Sequence, residues 1–430
     1  MRHHQYRGWR VSTDRFGNAI DPGVGYARGS LLQGSADEVR RLTQAGRVAA
    51  DFVVREGIDK IAICTGNLRF YPATPDDLSL LCEEWIGPGL FGEELRQAAI
   101  AHMGGQGHEV AAVVNRTSAG IVATVLAHSA GKPVLSLVAK GDRSHASVLR
   151  GARLANVQVR EVHDLESVQQ ALAEDSPALF VITPVTSELS MLSDDLIRDA
   201  VAAGKNAGCV TFLDDAYGAR FRPVLHGGGA SLSFGADLVI TNADKAGLSG
   251  PRAGVLCGDP VVLVPVQAKA SELGMEARAP VAVGAMRSLQ GFTPDLLLQE
   301  AQDGQDLADA LEAALGKGQV TRSALGPKID EQDAMEIVLG MAGLEKGDIV
   351  PAEVTAAIGM LMLRDKGIVT VNTHGQPGGR VSIRLKPTSG AVARAGGAVA
   401  VADCLMSAMR QTAQHLHDKT WFAATLFGDT

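Results

Sequence analysis

Between residues 109 and 257 the chain alternates short, almost purely apolar runs with longer stretches in which apolar residues recur every three or four positions. The runs are EVAAVV (109–114), VLSLVA (134–139), VQVREV (157–162), ALFVIT (178–183), CVTFLD (209–214), DLVIT (237–241) and AGVLC (253–257), preceded by IAIC (61–64). A strand covered on both faces has no reason to alternate polar and apolar positions, so runs of this kind predict a buried, parallel or mostly parallel sheet. The intervening helical periodicity supplies crossover helices, and the expected fold class is α/β with helices on both faces of the sheet. Ser35 reads as the N-cap of an amphipathic helix, ADEVRRLTQAGRVAADFVVREG, that stops at Gly57, and further helices are expected from Thr74, near Glu93 to His102 and from Thr117. After about residue 259 the strand signal fades into helical patterns, one near 295–315. A mixed region follows, with a helix from Pro351 to Asp365, strands IVTVN (368–372) and RVSIRL (380–385), and a last helix from about Ser389 to Leu416. The expected organisation is an N-terminal arm and helix (1–58), a large α/β domain (59–290) and a small α+β domain (291–430). Residues 1 to about 34 lack periodicity and read as an ordered, loop-rich cover or as disorder.

Composition narrows the function classes. A chain of 430 residues with 46% hydrophobic content is long enough for a large core and a second, smaller one. No apolar run reaches membrane-spanning length, and the start MRHHQYRGWR has no apolar segment of a secretory signal. The five cysteines, Cys64, Cys82, Cys209, Cys257 and Cys404, are scattered and show no CxxC spacing, so they are expected as buried thiols in a cytoplasmic protein rather than bridges or metal ligands. A net charge of −8 argues against nucleic acid as the main partner.

The chemistry gathers where apolar runs end. Neither a GxxxxGK[ST] loop nor a GxGxxG after a first strand is present. Instead, DLVIT runs into TNADKAGLSG, which delivers Lys245 into a turn between Asp244 and Gly247, and CVTFLD runs into DDAYGAR, which delivers Asp214. A lysine there is ordinarily a surface residue, and an Asp beside it an ion pair. In an α/β sheet, however, ligands sit at the carboxyl ends of strands, so the two can share a crevice. Pyridoxal phosphate (PLP) asks for this combination: a lysine for the imine, an Asp on the pyridine nitrogen and donors for a phosphate. Tyr217 could meet the ring hydroxyl. The helix start after EVAAVV, with Arg116, Thr117 and Ser118, offers free backbone N–H groups to the phosphate. His145, in GDRSHAS, is either a capping residue or one that stacks on a planar ring and assists proton transfer.

The order NRTSAG, DRSHAS, LDDAYGAR and ADLVITNADKAGLSGPRAGVL, together with TGNLRFYP, WIGPGLFGEEL, SELGMEARAP and HGQPGGRVSIRL, resembles fold type I PLP-dependent enzymes of the aspartate aminotransferase-like kind. More narrowly, it resembles selenocysteine-synthase-like PLP proteins, closest to their shorter archaeal-type branch. The resemblance implies Lys245 as the cofactor lysine, Asp214 on the pyridine nitrogen, His145 on the ring, and a phosphate cradle of Arg116, Thr117 and Ser118 with Arg252 nearby. It also implies Arg384 as the holder of a substrate carboxylate, with Arg380 as the competing choice. The expected activity is β- or γ-elimination or replacement on a small amino acid rather than on a seryl-tRNA. Aminotransferase chemistry is an alternative, as is acyl transfer, since DRSHASVLRGARLANVQV also resembles the α-oxoamine synthases. A third is a non-catalytic PLP-binding or tRNA-associated protein. Enzymes of this fold build their sites between subunits, so at least a homodimer is expected.

Overall fold

All seven runs between residues 109 and 258 become strands of one sheet in the computed structural model, which describes residues 12–375 and 377–428. The first eleven residues of the expected arm, and Gln376 within HGQPGGRVSIRL, lie outside the described residues. In chain order the strands are β1 (Val110–Val114), β2 (Val134–Leu137), β3 (Val159–Val162), β4 (Leu179–Ile182), β5 (Val210–Asp214), β6 (Leu238–Asn242) and β7 (Gly254–Gly258). They lie in the spatial order β1-β7-β6-β5-β4-β2-β3. The pairs β2–β3, β2–β4, β4–β5 and β5–β6 are parallel, and only β7 runs against its neighbours β6 and β1. The sheet is therefore mostly parallel, and the fold is α/β, as the apolar runs predict.

Alternate strand residues feed two apolar layers. Phe212, Leu238 and Ile240 join Ile121, Val125 and Val148 on one face, while Leu213 and Val239 join Leu95, Ile197 and Val283 on the other. Asp214 and Asn242 follow the parity of Phe212 and Ile240, so their side chains belong to the face covered by helix Thr117–His128. The polar residues at the strand ends thus inherit their direction from the core pattern behind them.

This sheet and its helices form one compact unit, Asn67–Gln299; Met1–Gly66 and Glu300–Thr430 form the other. In the second unit the helix Pro351–Lys366, buried from Pro351 to Leu363, packs in an apolar cluster with Ala45, Val338, Val401 and Leu405. Several local expectations change here. The N-terminal helix spans Ser35–Glu56, but its cap is Gly34: Asp37 reaches back to accept from the backbone of Gln33 and Gly34, so Ser35 is already helical. IAIC does not enter the large sheet; Ala62–Ile63 pairs in parallel with Ile368–Val369. IVTVN keeps only those two residues as strand, because Thr370 and Thr373 form a capping box that turns Val371–His374 into helix. RVSIRL contracts to Ile383–Arg384, hydrogen-bonded to Gly326–Ile329, so Arg380 lies outside the strand. The last helical region divides into Ala391–Arg394 and Ala398–Ala413 and is followed by Lys419–Phe427.

Candidate active site

Strand β6 ends at Asn242, and the chain enters a tight turn in which Ala246 takes φ +51° and Gly247 φ +80°. A left-handed alanine is strained by about 1–2 kcal/mol, so this turn persists only because its surroundings hold it. Residues 67–70 are laced against it. Asn67 bridges Lys245, Leu68 N donates to Asp244 O at 3.1 Å, and Phe70 N donates to Ser249 O at 2.8 Å. The Asp244 carboxylate takes Arg69 Nε at 3.2 Å and Asn67 Nδ2 at 3.3 Å. Lys245 emerges from this frame with Nζ 5.0 Å from the centre of the buried Tyr217 ring. Burial pushes its ammonium below the usual lysine range; Asp244 and Asp214 oppose the shift, and Arg69 and Arg220 add to it.

Asp214 closes β5 in register with Ile240 of β6, so it stands beside the strand that leads to the lysine. Burial raises its carboxyl to about 7; Lys245 lowers it and Asp215 raises it further. The folded chain therefore keeps a proton that the unfolded chain releases above its ordinary value of 3.8. The stability cost is absent below pH 4, grows through pH 7 and is constant above, reaching at most about 4 kcal/mol at 1.36 kcal/mol per pKa unit. Asp214→Asn is accordingly expected to raise the melting temperature of cofactor-free protein at pH 8 and leave it unchanged at pH 4. Equal melting temperatures of the two proteins at pH 8 would contradict a buried ionisable carboxyl.

Its neighbour Asp215 faces the other way, as strand alternation requires, into a buried ion pair with Arg222 (Nη2–Oδ2, 2.7 Å) and a hydrogen bond from Ser231 Oγ at 2.6 Å. Arg220, 1% exposed, ties the two strand ends together. It donates to Ala216 O (3.0 Å) beyond Asp214, to Ala246 O (3.2 Å) beyond Lys245, and to Thr241 Oγ1 (3.0 Å) and Asn242 Oδ1 (2.9 Å) on β6. Its Nη1 also meets Nε2 of His102 at 3.0 Å; burial first, then this cation, lowers His102 to about 3, so its ring is neutral and accepts the bond. DDAYGAR and TGNLRFYP stand out as motifs in the sequence, yet the tasks of Arg220, Arg69 and Asn67 become visible only through contacts made by folding.

Across the sheet edge, Gly254 pairs with both Val114 and Asn242, and Arg116, Arg252 and Asp244 each lie two residues out from this row of paired strand ends. Helix Thr117–His128 begins at this row with no side-chain cap. Gly254 is required there, because a Cβ would lie 2.9 Å from Thr117 N. Burial lowers Arg252 to about 10, reinforced by Arg69 and Arg116, and lowers Arg116 as well, again with Arg69 contributing. The result is a concentration of positive charge around an open helix N-terminus, the arrangement that receives a phosphate.

His145 is the N-cap of helix Ala146–Leu154: its Nδ1 accepts from Ser147 N at 3.3 Å. The structure brings Lys245, Asp214, Tyr217, Arg116, Thr117, Ser118, Arg252 and His145 into the one unit. Arg384 and Arg380 belong to the other unit, with Arg384 only 6% exposed. The five cysteines are unbridged, and among the described residues there is no cluster of potential metal ligands and no helix long and apolar enough to cross a membrane.

No family model matches the chain. It is 30% identical over 358 residues to the "UPF0425 pyridoxal phosphate-dependent protein" of Methanothermobacter thermautotrophicus, covering 83% of this chain and 89% of that one. The chain belongs to the UPF0425 family of pyridoxal phosphate-dependent proteins. The family member of Methanosphaera stadtmanae is 27% identical over 350 residues, covering 81% of this chain and 88% of its own. Among solved structures, L-threonine transaldolase from Pseudomonas fluorescens matches with a TM-score of 0.56 at 15% identity, covering 89% of this chain and 93% of that chain. Alanine–glyoxylate aminotransferase from Nostoc sp. matches with a TM-score of 0.54 at 14% identity, covering 82% and 95%. These likenesses show the fold, in accord with the strand order above.

The residues present suit the cofactor for which the family is named. A pyridine N–H would find in Asp214 a carboxyl whose burial is offset by no hydrogen bond among the described residues. A carbonyl would find the amine of Lys245, and a phosphate the uncapped helix with Arg116 and Arg252. The hydroxyls of Thr183 and Ser147 are buried without a hydrogen-bond partner among the described residues. Thr183 follows Ile182, the register partner of Leu213, and so stands beside Asp214. Neither hydroxyl was marked in the sequence, since a lone Thr or Ser at a strand or helix end is commonplace there.

Proposed function

We propose that this PLP-dependent protein is an enzyme acting on a small free amino acid by β- or γ-elimination or replacement. The observation that carries the proposal is the half-buried Lys245 and the buried Asp214 carboxyl at neighbouring strand ends, each shifted toward its neutral form by desolvation. Bound PLP supplies an electron-accepting ring that stabilises negative charge at the α-carbon of an amino acid. In this proposal Lys245 Nζ, neutral at lower pH than an exposed lysine, would hold the cofactor through its carbonyl and, released when a substrate amine takes its place there, would move the α-proton. Asp214 holds a proton on the ring nitrogen. Arg116, Thr117, Ser118 and Arg252 hold the phosphate, Tyr217 and His145 flank the ring, and the Arg69–Asp244 pair and Arg220 keep the lysine turn in place. The resemblance to selenocysteine-synthase-like proteins supports chemistry at the substrate's β-carbon. Purified protein incubated with single amino acids and their D-isomers is expected to release a keto acid and ammonia without a keto-acid acceptor. Turnover that depends on an acceptor would assign an aminotransferase, and a cofactor band that responds to no amino acid would assign a non-catalytic PLP-binding protein.

Arg384 is the proposed carboxylate holder. Arg384→Gln is expected to cost about 2–4 kcal/mol in substrate binding while the cofactor stays bound, with Arg380→Gln much milder. KM values of the two variants check this; an unchanged KM in Arg384→Gln transfers the role to Arg380 or to neither.

The protein is further inferred to be a cytoplasmic homodimer or higher homo-oligomer. The segment from Phe70 to Leu90 supports assembly, because Phe70, Tyr71, Leu78, Leu80, Trp85, Ile86 and Leu90 are all exposed, Trp85 by 93%. Sedimentation at micromolar concentration is expected to show a dimer or larger; an active monomer would contradict it.

A further inference from the structure

The unit formed by Met1–Gly66 and Glu300–Thr430 contains an open hollow lined by Arg41, Asn372, Glu38, Arg380, Leu32 and Ala356 among others. Its polar groups are unequally satisfied. Glu38 is fully engaged: Oε1 accepts from Arg28 Nη1 at 2.8 Å and from Tyr26 OH at 3.2 Å, and Oε2 accepts from Gly378 N at 2.7 Å. Arg41 is 5% exposed, yet it uses only Nη1, which donates to the carbonyls of Asn372 and Thr373. Its Nε and Nη2 make no hydrogen bond among the described residues. Burial lowers its pKa, a cost only partly relieved by the engaged Glu38 and Tyr26.

Asn372 is 6% exposed, and its Oδ1 is buried with no hydrogen-bond partner among the described residues. The amide orientation is set by the Nδ2–H bond to Val381 O at 2.7 Å, so the unpartnered atom is an acceptor. A cation's fork and a lone acceptor, adjacent through the Arg41–Asn372 contact, ask for a ligand with the complementary set. Planar N–H donors in a fork match a carboxylate bidentately, and a lone amide oxygen matches an O–H or N–H next to it. The apolar side of the hollow is formed by Leu32, Ala352, Ala356, Val371 and Val381, which suits a short aliphatic side chain.

We propose that this hollow binds a small α-hydroxy or α-amino carboxylate, with the carboxylate on Nε and Nη2 of Arg41 and the α-substituent donating to Asn372 Oδ1. Arg380 also lines the hollow, so the proposal rests on the assignment of the substrate carboxylate at the Lys245 site to Arg384 rather than to Arg380. L-lactate is the discriminating probe because it lacks the amine that a cofactor carbonyl would need. Calorimetric titration of L-lactate into the full-length, PLP-loaded protein is expected to show binding, while 1,2-propanediol shows none. Arg41→Lys, which keeps the charge but not the fork, and Ala356→Leu, which fills the hollow without touching either polar group, are each expected to weaken binding at least tenfold. Lys245→Ala is expected to bind L-lactate as the unaltered protein does. No binding of L-lactate to the unaltered protein, retention of its affinity in either folded hollow variant, or loss of binding in Lys245→Ala would overturn the proposal, and none of these results bears on whether Lys245 carries PLP.

Discussion

Lys245→Ala is expected to fold normally and to lose turnover by well over the 10²–10⁴-fold that a positioned acid or base contributes, because the same atom also forms the bond to the cofactor. Normal folding follows from the way the turn is held. Asp244, with Arg69 and Asn67, and the carbonyl of Ala246, with Arg220, fix the backbone on either side, and none of these bonds uses Nζ. Removing an amine whose charge is opposed by burial should leave the melting temperature equal or slightly higher. The measurement is kcat together with a melting curve, and added methylamine should restore part of the activity by supplying a small amine to the vacated space. Turnover within tenfold of the unaltered protein would remove Lys245 from the chemistry.

The second large effect concerns stability. Asp215→Ala is expected to destabilise the fold by about 3–5 kcal/mol, because it leaves the Arg222 guanidinium, 2% exposed, without its 2.7 Å partner. Asp194, at 3.3 Å from the other guanidinium nitrogen, is more exposed and compensates only in part. Replacing both members of the pair, as in Asp215→Asn with Arg222→Met, should recover a share of the loss by removing the stranded charge. The adjacent Asp214→Ala should do the reverse, sparing stability and weakening cofactor binding, since neighbouring strand residues point to opposite faces. Urea unfolding and PLP stoichiometry on the same samples separate the two. If Asp215→Ala unfolds within 1 kcal/mol of the unaltered protein but fails to bind PLP, the two aspartates have been assigned the wrong way round.

The large sheet was legible because its signal is local: an apolar run bounded by turns and helices announces a buried strand, and a polar residue ending it lands at the sheet edge. Asp214 and Lys245 were accessible by that argument alone. The pairing of IAIC was not, since four apolar residues do not specify a partner, and the strand they join is over 300 residues away. IVTVN and RVSIRL look like strands by β-branched content, but the Thr370 capping box and the glycine pair before Arg380 shorten both. Arg69 escaped for the same reason as IAIC: its partner Asp244 is 175 positions distant. Arg220 and Thr183 lie within recognisable segments, yet a buried arginine bonded to carbonyls and a hydroxyl with no partner are properties of packing rather than of residue type.

The central claim is that Lys245 is the residue to which PLP is attached. Borohydride reduction of the PLP-loaded protein, followed by proteolysis and mass spectrometry, tests it directly. The expected result is one pyridoxyl-modified peptide, with the added mass on Lys245 of the sequence TNADKAGLSGPR; modification of another lysine, with Lys245 unaltered, would contradict it.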